Sequence, residues 1–267
     1  GRAELEDFWA VVTQFPALIG FLHVVGGAYI LSGFFVMGVS SYHLLKNREM
    51  DFFKKSFRIG LLFALVFSLF EVVQGHMNGE FVAEKQPAKL AAMESFWETR
   101  THAPQVLFLI PDVKNERNIM ETGEIPSLLS ILAHRDPAAE VKGLKDIPKE
   151  DRPPVWPTFV SFRIMVGLGF LFPAITIFGF LIRNRPERFR PFLWLLVFSI
   201  PLPYVALEAG WLLTEIGRQP WIVYGLMRTS EAVSSLSKTQ VYLSLAGFLA
   251  IYSALGIADF YLLYRFA

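Results

Sequence analysis

Five stretches of this chain are apolar over about 20 residues, the length a helix needs to cross the hydrocarbon core of a bilayer. They run from about Pro16 to Leu45, Phe57 to His76, Phe159 to Ile182, Phe192 to Ile216 and Val241 to Phe266. No other feature constrains the fold as strongly. A backbone inside lipid must satisfy its own hydrogen bonds, so such stretches become helices. The charge content agrees: 18% of the 267 residues are charged, against about 25% in soluble domains. The expected fold class is an all-α integral membrane protein with about five transmembrane helices and a long external loop between the second and third. Three regions follow: residues 1–76 with helices one and two, a polar segment 77–157, and residues 158–267 with helices three to five.

Orientation follows from Lys and Arg in the short loops, which favour the cytoplasmic side. Lys46, Arg48, Lys54, Lys55 and Arg58 lie between spans one and two. Arg183, Arg185, Arg188 and Arg190 lie between spans three and four, and Arg265 ends span five. The chain is therefore expected to be multi-pass, with its C-terminus cytoplasmic and the 77–157 segment outside. A net charge of +1 gives no reason to expect a nucleic-acid partner. The absence of cysteine excludes disulfides, iron–sulfur clusters, thiolate haem ligation and covalent c-type haem attachment. The opening GRAELEDFW lacks a basic n-region and an initiator Met. It reads as the start of a chain processed, split or cut from a longer one.

Span four ends in EAGWLLTEIGRQPW, which places Glu208, Trp211, Glu215 and Arg218 at i, i+3, i+7 and i+10. That spacing puts them on one helical face over about 15 Å of axis. Carboxylates in a membrane helix are costly and persist where they face a bundle interior and meet a proton, a cation or a metal. The plainer reading is two interfacial carboxylates satisfied by Arg218 and water. His23 sits in FLHVVGGAYILSG, with Gly26 and Gly27 on its face. Small residues there leave room for a flat group or let a neighbouring helix approach closely, and a lone membrane histidine is often a packing residue. Met165, in SFRIMVGLGF, reads alone as core or lipid-facing filler. Together, His23 and Met165 offer the axial pair of a six-coordinate electron-transfer haem, in which a thioether raises the potential. Arg163 points away from Met165 on a helix and suits a propionate or the loop. The expected orientation brings these groups to one depth, beside the external segment. Glu71 and Asp259, in spans two and five, read either as proton relays or as partners in helix-packing hydrogen bonds. His76, His102 and His134 read as solvated surface, and His43 lies at the cytoplasmic end.

The string GRQPW, with EAGW ahead of it, resembles the signature of subunit I of the cytochrome bd quinol oxidases. FLHVVGGAYILSG looks like the family's helix bearing the histidine ligand of the low-spin haem b, and FRIMVGLGF like the helix bearing its methionine ligand. The match runs from about Phe21 to Ala267. The resemblance implies His23 and Met165 as axial ligands of low-spin haem b. It implies Glu215 as the carboxylate ligand of one of two high-spin haems, haem b and haem d, and Trp211 as a residue between haems. Arg218 and Gln219 would hold propionates and the outer end of the helix, and Glu208 would be a proton relay or a hydrogen-bond partner. KLAAMESFWETR resembles the start of the family's quinol-contacting loop, making Lys89, Glu94, Trp97 and Glu98 the quinol candidates. Two departures stand out. The spans that precede the histidine helix in the family, with a further histidine ligand and proton-path acids, have no counterpart. The loop is of the short kind, and nothing after GLKDIPKEDRPPVWP matches the lysine and glutamate assigned to quinol in long-loop members.

The activity so implied is that of a quinol:oxygen oxidoreductase, active only in a complex. It would oxidise quinol at the outer face of a bacterial or archaeal cytoplasmic membrane, reduce dioxygen to water and contribute to the proton-motive force. The implied partners are the N-terminal subunit I spans, a second large oxidase subunit and a small single-span subunit. Two other readings remain: an electron-transfer module with one low-spin b haem, and a haem-free structural subunit.

Overall fold

The computed structural model describes residues 6–266. Residues 1–5, which begin the stretch read as mid-chain sequence, lie outside the described residues. A short helix α1 (Phe8–Thr13) is capped by Asp7, whose Oδ1 accepts from Trp9 N at 2.8 Å. It leads into α2 (Phe15–Leu45) and α3 (Met50–Lys85). The segment between the second and third spans holds α4 (Pro87–Glu94), β1 (Arg100–Thr101), β2 (Gln105–Asp112), β3 (Arg117–Ile125), α5 (Leu128–His134) and β4 (Glu140–Val141). Then come α6 (Val155–Ile182), α7 (Arg190–Phe198), α8 (Leu202–Gly217), β5 (Trp221–Val223), β6 (Met227–Arg228) and α9 (Lys238–Phe266). Among the described residues, five helical stretches are long and apolar enough to cross a membrane: α2, α3, α6, α7 with α8, and α9.

The second and fourth spans depart most from the hydropathy reading. The second helix begins at Met50 rather than Phe57 and runs to Lys85 rather than His76. Its last turns are polar and are held by partners: His76 pairs with Glu80 at 3.2 Å, and Arg135 clasps the same carboxylate at 2.5 and 2.7 Å. The fourth span is broken at residues 199–201. Pro201 and Pro203 supply no N–H, so the helix ends and restarts. Ser199 Oγ donates to Leu196 O at 3.0 Å, and Leu202 N donates to Ser199 O at 3.0 Å. The freed Ile200 packs where a Cβ on Gly38 would come within 2.3 Å of its Cγ1.

The bundle core is Phe34, Met37, Leu44, Phe57, Leu61, Ala64, Leu193 and Leu196. α2 and α3 cross closely: a Cβ on Gly33 would lie 2.8 Å from the carbonyl of Gly60, so only small residues permit the contact. The segment read as a loop over 77–157 is a folded cap over residues 86–154. β2 pairs antiparallel with β3, and β1 with β4. These short ladders were not legible as periodic runs. The cap has apolar cores of its own, one of Leu90, Phe96, Ala103, Leu129 and Val141, the other of Ala88, Ala91, Ala92, Trp97, Leu144 and Ile147.

Residues from Thr229 onward form a separate unit built on α9. Ser237 caps this helix: its Oγ accepts from Gln240 N at 3.3 Å, and its N–H donates to Gln240 Oε1 at 3.0 Å. That is a reciprocal capping box. Asp259, read from the sequence as a proton relay or a helix-packing partner, is exposed on α9 among the described residues.

Candidate haem and quinol site

The inner face of α8 is made of Pro203, Ala209, Leu213 and Gly217. These small and apolar residues let the helix pack tightly, and they turn its polar face outward. Glu208 is exposed and Trp211 is 61% exposed. The expectation that this face points into a bundle interior is therefore not met among the described residues. Glu215 and Arg218 do pair, at 2.5 Å between Oε2 and Nη2, and Gln219 Nε2 donates to the Glu215 carbonyl at 3.3 Å. Glu215 Oε1 has no hydrogen-bond partner among the described residues.

His23 faces α3. Its Nδ1 lies 2.7 Å from Gln74 Oε1 and 2.5 Å from Glu71 Oε2, while Nε2 has no hydrogen-bond partner among the described residues. The two glycines beside it admit neighbouring helices rather than leave a gap. A Cβ on Gly26 would fall 1.9 Å from Glu71 Oε1, and one on Gly27 would fall 2.7 Å from Leu207 Cδ2. Met165 lies against α8, its Sδ 3.1 Å from where a Cβ on Gly210 would sit. Leu207 and Gly210 are one turn apart. The histidine helix and the methionine helix thus reach α8 within a single turn of each other.

Of the two roles open to Arg163, the structure shows the one toward the loop. Nη2 donates to Glu94 Oε2 at 2.6 Å and Nη1 to Leu107 O at 3.2 Å. Glu94 is buried and also accepts from Gln105 Nε2 at 2.7 Å. Burial pushes its carboxyl above the usual carboxylate range, with Arg163 and Gln105 pulling the other way. Lys89, also on α4, is buried with its stem against Gly217. Burial, and then the nearby Arg218, lowers its ammonium to about 8, against the pull of Glu215. Pro87 at the first position starts this short helix, and every residue from Ala88 to Glu94 is buried. α4 therefore joins the end of α8 through Lys89 and joins α6 through Glu94.

A cavity of about 270 Å³ beside Glu94 is lined by Phe96, Arg100, Val106 and Asn118 among others. Trp97 and Glu98 also border it. Trp97 is a core residue whose Nε1 donates to Asn118 Oδ1 at 3.1 Å. Glu98 is exposed and pairs with Lys145. His102 contacts Ser127 at 3.3 Å on the surface. Sequence reasoning missed Gln74, which no motif marked; only its position in α3, one turn past Glu71, was available as a signal.

This donor set fits a haem. An imidazole nitrogen without a partner, a thioether and a half-exposed carboxylate are all iron ligands. In addition, Arg163 Nε and Arg218 Nε are both buried without an acceptor, which suits anionic propionates.

The family model described as cytochrome bd terminal oxidase subunit I matches residues 1–267. The cytochrome bd ubiquinol oxidase subunit 1 of Bacillus subtilis (strain 168) is 37% identical over 99% of this chain and 59% of its own length. The cytochrome bd-II ubiquinol oxidase subunit 1 of Escherichia coli (strain K12) is 29% identical, over 100% of this chain and 65% of its own. Among solved structures, the bd oxidase from Geobacillus thermodenitrificans superposes with a TM-score of 0.83 at 35% identity, covering 97% of this chain and 60% of that one. The chain thus spans about three fifths of the length of these relatives. It belongs to the cytochrome bd terminal oxidase subunit I family.

Proposed function

We propose that this chain is the haem-holding, quinol-side part of a terminal respiratory oxidase subunit, in a bacterial or archaeal cytoplasmic membrane. The enzyme takes electrons from quinol at the outer face and delivers them to dioxygen, forming water. The observation that carries this reading is the double anchoring of α4, through Lys89 beside Glu215 and Arg218, and through Glu94 on Arg163. It ties the candidate quinol residues to α6 and α8, two of the three helices that bear candidate haem ligands. Low-spin haem b, and the high-spin haems b and d shared with the rest of the subunit, supply the electron transfer and dioxygen reduction when bound.

The residues divide the work. His23 and Met165 would hold the low-spin haem, and Glu215 would hold one of the high-spin haems. The orphaned Nε–H donors of Arg163 and Arg218 would be the groups that hold propionates. Glu94, whose carboxyl is raised by burial and which borders the cavity, is the group that accepts a proton from quinol. Lys89 orients the quinol oxygen. Trp211 and Glu208, exposed on α8, face the remaining spans of the subunit, and the family's second large subunit completes the complex. Quinol protons leave outside while protons for water come from the cytoplasm, so turnover contributes to the proton-motive force.

Optical spectra and oxygen uptake of the complex purified with this chain test the reading. Low-spin b and chlorin bands with quinol-dependent oxygen uptake are expected. A low-spin b band alone would make it an electron-transfer module, and no haem would make it a structural subunit.

A further inference from the structure

The proposed function leaves Glu71 without a role. It is a carboxyl only 10% exposed, within a membrane helix, and one of its oxygens has no partner. Among the described residues no lysine or arginine pairs with it; its one partner is His23, at 2.5 Å. Gln74, one turn on, meets the same Nδ1 at 2.7 Å. The orientation of the Gln74 amide is settled by its other contacts: Nε2 donates to the Ile19 carbonyl, and Oε1 accepts from Asn78 Nδ2 at 3.1 Å. Oε1 is therefore an acceptor toward His23, and Nδ1 must carry a hydrogen. That fixes the tautomer, with the lone pair on Nε2. The arrangement needs Gly26, because a Cβ there would occupy the space of Glu71 Oε1.

We infer that Glu71 and Gln74 are positioning residues for His23. They hold Nδ1–H, keep the ring from turning, and present Nε2 as a strengthened donor that lowers the potential of the low-spin haem. The inference rests on the reading of His23 as a ligand of that haem. A carboxylate behind a ligating imidazole raises its basicity and favours the more positive state of the metal. The same arrangement accounts for a buried carboxyl with no cationic side chain beside it among the described residues: a ferric haem held by His23 would supply the compensating charge.

The test is a redox titration of the low-spin haem in the whole oxidase complex. Glu71→Gln, nearly isosteric, should keep the six-coordinate low-spin spectrum and shift the midpoint potential upward. Gly26→Ala leaves Glu71 in the chain but displaces its carboxyl, and should shift the potential the same way. Glu71→Asp, which restores a carboxylate, should bring it part of the way back. An unchanged or lowered potential in both Glu71→Gln and Gly26→Ala, with the low-spin spectrum intact, overturns the inference. His23→Ala serves as the separate control: if the low-spin spectrum survives it, the ligand reading itself is wrong.

Discussion

Arg163 and Glu94, 69 residues apart in the chain, meet at 2.6 Å where α6 enters the cap. Arg163 is two positions before Met165, and Glu94 closes the helix that begins beside Lys89. One part-buried ion pair therefore couples the position of the cap to the helix that carries the thioether. Removing either partner leaves the other without its charge partner in the cap.

Glu94→Gln removes the charge and the proton acceptor but keeps the shape. Quinol-dependent reduction of the low-spin haem should slow by about 10²-fold or more, the usual contribution of a positioned acid–base group. The low-spin spectrum should be unchanged. Stopped-flow reduction by quinol measures this, and a wild-type rate would remove Glu94 from the proton path.

Met165→Leu is close to volume-conserving and should cost less than about 1.5 kcal/mol of stability. It removes the sulfur that faces Gly210. The expected result is loss of the low-spin b spectrum, or a large fall in its potential, with the fold retained. A spectrum and potential like those of wild type would reject Met165 as a ligand.

Glu215→Ala leaves Arg218 without its partner at 2.5 Å. The high-spin haem signal and oxygen reduction should be lost, while quinol still reduces the low-spin haem. Oxygen uptake that persists with every haem bound would show that the carboxylate is not a ligand.

Lys89 predicts a pH dependence. Its ammonium is lowered to about 8 from 10.5 by burial and by Arg218, so the unfolded chain binds its proton more tightly than the folded one. Stability should rise as pH climbs from about 8 toward 10.5, and below 8 the buried charge costs its full amount, on the order of 3 kcal/mol. Lys89→Met should raise the thermal unfolding temperature at pH 7 and flatten its rise between pH 8 and 10. An equally steep rise in the variant would place the titration on another group.

The outward polar face of α8 bears on assembly. Trp211 is 61% exposed, and Glu208 stands beside it on the same surface. A membrane carboxylate facing lipid is costly. This chain expressed alone in membranes should bind at most the low-spin haem and consume no oxygen with a quinol. Robust oxygen uptake by the chain purified alone would contradict that.

Much of this protein is legible in its sequence because lipid is an undemanding reader. Any apolar run of sufficient length must become a helix, and all five spans follow from that rule. The GRQPW string and the residues around His23 and Met165 were likewise visible as local strings. Contacts between distant segments decided the rest. Hydropathy could not see that α3 extends nine residues past His76, because Arg135, far along the chain, satisfies its polar end. Nor could it see that Gly26 serves Glu71, that Arg163 turns to the cap, or that the cap is folded at all. The KLAAMESFWETR string marked Lys89 and Glu94 as quinol candidates, but nothing local marked them as buried. Their burial, and with it their shifted proton affinities, arises only when α4 is laid across α6 and α8. Water is then excluded from groups that no local pattern marks as interior.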